Sequence, residues 1–319
     1  MAPARDAHIP VMLDRVVELL VDAPDGVIVD ATLGAGGHAA SVSTARRERY
    51  GRAQLVGIDR DPEALELATA RLSELGVEFA AVQARFDQLD RVLDDLGVDR
   101  IAGILFDLGI SSMHVDRAER GFSYRYEGPL DMRMGPDATL TAEDVVNHYD
   151  LDRLTEVIAT YGEERFARRI ARAIVDARPV GTTTELAELV RSAIPAATRR
   201  TGGHPATRTF QAIRLEVNSE LAALEAALPA AISRLGPGGV AVVLAYHSLE
   251  DRIVKRAFAD AASGCICPPG LPVCACGRVP IVEHVVRRPE RPSDEEVADN
   301  RRASAARLRA VRRLPEDRT

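Results

Sequence analysis

The chain has no long apolar run, few aromatic residues and almost no lysine, and each shortage narrows what it can be. Its longest unbroken apolar stretch, Val240 to Tyr246, is about a third of the ~20 residues needed to cross a bilayer, so no membrane-spanning segment is expected. Residues 1–20 lack a basic head followed by an apolar stretch, which argues against a secretory signal and for the cytoplasm. All four cysteines fall between Cys265 and Cys276. An extracellular fold spreads its disulfides more widely, so reduced thiols are expected. Lys255 is the single lysine, which makes nearly every cation an arginine.

What is present is an ordinary globular composition, with 46% hydrophobic and 28% charged residues, and this excludes a disordered or collagen-like chain. At roughly 150 residues per domain, 319 residues make two domains, or one large domain with an insertion. The net charge of −7 speaks against nucleic acid only until it is divided along the chain. Residues 1–150 are strongly acidic, whereas 151–214 and 277–319 are biased toward arginine. A local basic surface is therefore compatible with the acidic total.

From Val27 onward the pattern alternates strands with helices. Val27 to Asp30 predicts a first strand, ending in the cluster Gly34-Ala35-Gly36-Gly37. Leu55 to Asp59 predicts a second, followed by a helix capped by Asp61 with Pro62 at its first position. Val77 to Val82, Ile101 to Asp107 and Val240 to Tyr246 predict three more, the last two as buried apolar runs. A crossover needs about 20–30 residues, and the gap between the last two strands is several times that. Leu151 to Leu228 is helix-patterned, so the gap predicts an inserted all-helical domain. The expected division is a core at 1–135, an inserted helical substrate-binding domain at 136–215, and the rest of the core at 216–319, with a Cys/Pro loop and a basic tail. For the Arg-rich tail after Arg301, a helix, a final strand and a free arm all fit.

Parallel strands bind ligands at their carboxyl ends, which draws attention to the glycine cluster. By itself it also fits a loose dinucleotide fingerprint. Asp30 tips the balance between the readings. A carboxylate there repels a pyrophosphate but suits a ligand carrying an ammonium and a sulfonium, as S-adenosylmethionine does. Asp59 is the expected acceptor for a ribose diol. Phe86 lies where an adenine could rest, with simple packing as the alternative. Asp107 closes the fourth strand, and a carboxylate there can hold the hydrogens of an exocyclic amine while its nitrogen attacks a methyl group. Asp107 is therefore the candidate catalytic residue, as that acceptor or in orienting the cofactor, with capping of the turn as the alternative role, and Ser111 and Ser112 are neighbouring donors.

Longer motifs then make the pattern specific. They include His8 to Val11, Asp30 to His38, Gly57 to Asp61, Asp107 to Ser112, Arg120 to Ser123, Gly128 to Met134, Tyr161 to Ala167, His204 to Gln211 and His247 to Arg252. In this order they resemble the ribosomal RNA small subunit methyltransferase H family, the bacterial 16S rRNA cytosine-N(4) methyltransferases. The resemblance implies a class I S-adenosylmethionine-dependent core, a Rossmann-like doubly wound sheet, with a helical insertion. It implies 16S rRNA within the small ribosomal subunit as partner and cofactor contacts at Gly36, Gly37, His38, Asp59, Phe86 and Asp107. A further contact, usually a glutamine in the family, falls on His114. The resemblance also places Asp131 to Arg133 and His247 to Arg252 near the cleft, with a capping role as the alternative for His247.

A target base must leave its stack to reach a methyl donor, and Phe122, Tyr124 and Tyr126 could receive it, with core packing as the alternative. His204 to Arg208, with Arg199 and Arg200, supplies cations for phosphates, or else forms a solvated face. Cys265, Cys267, Cys274 and Cys276 could together hold zinc, although their C-x-C spacing is tighter than the usual knuckle. The oligomeric state is open, and a homodimer is compatible with the sequence. Two rival readings are a nicotinamide-dependent dehydrogenase and a non-catalytic ribosome-assembly protein that retains the fold.

Overall fold

A computed structural model describes residues 10–196, 204–264, 267 and 276–315. In chain order the first elements are α1 (Leu13–Val21), β1 (Val27–Asp30), α2 (Gly37–Tyr50), β2 (Gln54–Asp59), α3 (Pro62–Glu74), β3 (Glu78–Gln83), α4 (Leu89–Asp95) and β4 (Ile101–Asp107). Six helices follow without an intervening strand among the described residues: α5 (Ser112–Asp116), α6 (Ala142–His148), α7 (Leu151–Gly162), α8 (Ala167–Asp176), α9 (Thr183–Ala193) and α10 (Thr207–Asn218). The chain then forms α11 (Glu220–Arg234), β5 (Leu235–Ala245), α12 (Ser248–Ala262), β6 (Val282–His284), α13 (Asp294–Asp299) and β7 (Arg307–Arg313).

The strands make one sheet in the order β3-β2-β1-β4-β5-β7-β6. β1 to β5 are parallel, and β7 is antiparallel to both β5 and β6. Alternation along each strand divides the apolar residues between two faces. Val29, Val56, Ile104, Phe106 and Val243 pack on one side with Leu89 of α4, Leu228 of α11 and Phe258 of α12. Ile28, Leu55, Leu105, Val242 and Leu244 pack on the other with Leu20 of α1, Val42 of α2 and Leu72 of α3. This is the doubly wound, Rossmann-like sheet expected of a class I methyltransferase. Strand order reverses between β1 and β4, which opens a crevice at their carboxyl ends. As read from the sequence, Asp61 caps α3, accepting the Glu63 N–H at 3.0 Å, with Pro62 first in the helix.

The chain divides into two compact units, one of Met1–Gly109 with Leu221–Thr319 and one of Ile110–Glu220. The second unit begins earlier than the 136–215 read from helix periodicity. Its core explains why, because Phe122, Leu130, Met132 and Met134 are buried there with Val146, Ile158, Ile170, Leu186 and Ile213. Residues 117–141 hold no long helix, so periodicity could not assign them. Close backbone approach organises them instead: a Cβ on Gly128 would lie 1.9 Å from the Ala118 carbonyl oxygen. The buried Asn218 side chain also holds this stretch, donating to the Met132 carbonyl and accepting the Met134 N–H, both at 2.8 Å. The Arg-rich tail resolves as β7, and the short β6 was not anticipated.

Candidate active site

Three strands end in a carboxylate at the crevice of the first unit: Asp30 on β1, Asp59 on β2 and Asp107 on β4. Between β1 and α2 the chain makes a tight turn in which Gly34 and Gly36 adopt φ of 51° and 73°, left-handed values that glycine takes without strain. Asp59 fastens this turn to β2: its two carboxylate oxygens accept the Gly34 N–H at 2.8 Å and the Asp61 N–H at 2.9 Å. Gly37 opens α2 against Pro10, whose Cγ would lie 2.6 Å from an added Cβ.

Asp30 is buried and accepts the Thr32 N–H at 3.2 Å. Burial, with the neighbouring charges of Asp107 and Asp59, pushes its pKa up to about 7, against the opposing pull of the Thr32 hydrogen bonds. Thr32 also accepts the Asp107 backbone N–H on its hydroxyl at 2.6 Å, which ties the ends of β1 and β4 together. The Asp107 side chain accepts the Tyr246 hydroxyl at 2.7 Å on one oxygen. Its other oxygen lies 3.5 Å from His38 Nδ1. Nε2 of the buried His38 faces the Val11 carbonyl at 3.0 Å, and because a carbonyl only accepts, this nitrogen carries the proton.

Tyr246 directly follows β5. Burial, and then the charge of Asp107, raise its pKa well above the usual phenol value, so it remains a neutral donor. Its ring packs over Gly109, where an added Cβ would come within 3.0 Å. Glu250 fixes the backbone here by accepting the N–H groups of Tyr246 at 2.8 Å and His247 at 3.2 Å.

Of the residues singled out in the sequence, Gly36, Gly37, His38, Asp59, Phe86 and Asp107 lie in the first unit. Phe86 packs edge-on against Phe106, with ring centroids 5.8 Å apart. His114 lies in the second unit, buried, with its ring 5.0 Å from that of Phe122. Phe122 is buried in that unit's core, Tyr124 stacks on His204 at 4.3 Å, and Tyr126 is exposed. Asp131 pairs with Arg133 at 2.7 Å, and Arg208 donates to the Glu163 carbonyl. His247 is the N-cap of α12, accepting the Glu250 N–H on Nδ1, which is the capping role. Arg199, Arg200, Cys265 and Cys274 lie outside the described residues, and no metal-holding cluster occurs among those described. Sequence reasoning assigned no role to Tyr246 or Thr32. Tyr246 was legible only as the end of an apolar run.

The donor set suits a cationic ligand, since three acids converge and burial, followed by the charges of the other two, raises the pKa of Asp30. The strand order, the antiparallel β7 and this acid-lined crevice define a class I methyltransferase. The chain belongs to the MraW methylase family, which it matches over residues 5–314. It is 54% identical to the ribosomal RNA small subunit methyltransferase H of Thermobifida fusca, over 97% of this chain and 94% of that protein. It is 52% identical to the protein of the same name from Mycolicibacterium smegmatis, over 96% and 84%. Among solved structures, an rRNA methylase from Streptococcus thermophilus aligns over 99% of this chain and 100% of its own, at 14% identity and a TM-score of 0.41.

Proposed function

We propose that this protein transfers a methyl group from S-adenosylmethionine to the exocyclic N(4) amine of a cytosine in 16S rRNA of the small ribosomal subunit, in the cytoplasm. The observation that carries this reading is the convergence of Asp30, Asp59 and Asp107 on the glycine turn. Asp30 faces the ammonium end of the cofactor, Asp59 receives the ribose diol, and Gly36 and Gly37 allow close backbone approach. Phe86, His38 and His114 complete the proposed contacts, and the second unit is the substrate-binding part. Bound there, the cofactor supplies an electrophilic methyl carried on a sulfonium.

Asp107 does the work on the amine. The lone pair of a cytosine amine is delocalised into the ring, so the nitrogen must pyramidalise before it can attack. Asp107 accepts one of its hydrogens and orients it, and takes up the proton released as the new N–C bond forms. Tyr246 donates to one Asp107 oxygen and so fixes how the carboxylate is presented to the amine. Tyr246→Phe is therefore expected to lower kcat about tenfold, the equivalent of ~1.5 kcal/mol for a lost hydrogen bond to a charged group, with cofactor affinity nearly unchanged. Single-turnover rates and calorimetry check both halves of that expectation.

The function itself is tested with small subunits from cells lacking this protein, incubated with tritiated S-adenosylmethionine. Label in 16S rRNA and N(4)-methylcytidine on nucleoside mass spectrometry are expected. Tight binding to subunits without label would favour the non-catalytic assembly protein.

A further inference from the structure

Beside Tyr246, on the side of β7, lies a cavity of about 170 Å³ that the chemistry above does not use. Its polar lining is Tyr246, His247, Ser248, Arg291, Ser304 and Arg307. The sheet register brings these distant residues together. Ala245 pairs with Arg307 across β5 and β7, and Glu290 exchanges backbone hydrogen bonds with Leu308, which sets Arg291 alongside. The lining is guanidinium, hydroxyl and imidazole, placed at the first turn of α12, a 15-residue helix whose N-terminus carries partial positive charge.

The nearby acids are already committed. Asp251 holds Arg307 at 3.1 Å and Arg309 at 2.7 Å, and Glu250 accepts the backbone N–H groups of residues 246 and 247. Arg291 is exposed and makes no ion pair among the described residues, so no described carboxylate neutralises its charge at the cavity. Arginine's fork matches the oxygens of a phosphate, and the cavity has room for one such group.

We infer that this cavity is a phosphodiester-binding notch that holds the backbone of the RNA strand beside the target nucleotide. Tyr246 lines the notch and also bonds Asp107, so a phosphate seated there is one side chain away from the methylating carboxylate. The notch rests on the methyltransferase reading and extends it: phosphate contact positions the strand, and the crevice selects the base.

The test uses Arg291→Ala, Arg291→Glu and Arg291→Lys in the full-length enzyme, assayed on unmethylated small subunits over a range of KCl. For Arg291→Ala, KM for subunits should rise about tenfold, with kcat within about twofold and cofactor affinity by calorimetry unchanged. The slope of log KM against log salt should flatten by about 0.7, one phosphate contact on a single strand. Arg291→Glu should be worse and Arg291→Lys close to wild type. Inorganic phosphate should compete with subunits in the wild type and lose that effect in Arg291→Ala. Wild-type KM and salt slope in Arg291→Glu would overturn the notch. So would phosphate inhibition that depends on Arg291 but does not compete with subunits, since the cavity would then hold a free anion only. A wild-type enzyme that leaves subunits unlabelled would instead count against the methyltransferase reading.

Discussion

Asp107→Asn is expected to slow methyl transfer by about 10²–10⁴-fold, the span usual for loss of a group that moves a proton in the transition state. Asparagine keeps the size of the side chain, and its carbonyl can still accept the Tyr246 hydroxyl. What is lost is the second acceptor oxygen, now an NH₂ group, on the side that faces His38 Nδ1. An amide there offers a hydrogen where the amine needs to give one, and it cannot take up the released proton. The fold should survive, because Ile104, Leu105 and Phe106 of β4 stay buried and the Asp107 backbone keeps its bond to Thr32. Single-turnover assays with small subunits, alongside thermal unfolding, separate the two effects. A folded variant with a near-wild-type rate would remove Asp107 from the chemistry.

The same neighbourhood shows what a sequence can and cannot disclose. Ile101 to Asp107 reads as a buried strand because its apolar run is continuous, and Asp61-Pro62 reads as a helix start because both residues act within one turn. Those signals are local, and the structure matches them. Tyr246 meets Asp107 across 139 positions, through the pairing of β4 with β5, and nothing in its own vicinity announces the contact. β7 was ambiguous for a related reason. Arg307, Arg309 and Arg312 make it look like a solvated arm, yet Leu308, Ala310 and Val311 are buried between β5 and β6, and Arg309 bonds Asp251. Burial of that strand depends on neighbours far away in sequence. The early start of the second unit was hidden because glycine-mediated backbone contact, unlike an amphipathic helix, leaves no period to read.

Asp30→Asn should stabilise the ligand-free protein at pH 8 and weaken its hold on the cofactor, two effects with one origin. The folded pKa of Asp30, about 7, stands above the ordinary value of 3.8, mainly through burial and then through Asp107 and Asp59. The folded state therefore binds this proton more tightly than the unfolded chain does. Its stabilising share is complete below about pH 4 and disappears as pH rises to about 7, leaving a buried charge in place above that. Asparagine removes the charge, so the variant should gain ~1–3 kcal/mol over wild type at pH 8 and almost nothing at pH 4, measured by denaturant titration. A cationic ligand reverses the preference, because its ammonium favours the ionised carboxylate. Wild-type affinity for S-adenosylmethionine should then climb between about pH 6 and pH 8, while the variant binds at least about tenfold more weakly at pH 8 with a flat profile. A variant less stable than wild type at pH 8 would mean that the β1 carboxylate carries no buried-charge cost, and a wild-type affinity indifferent to pH would mean that it does not face the cation.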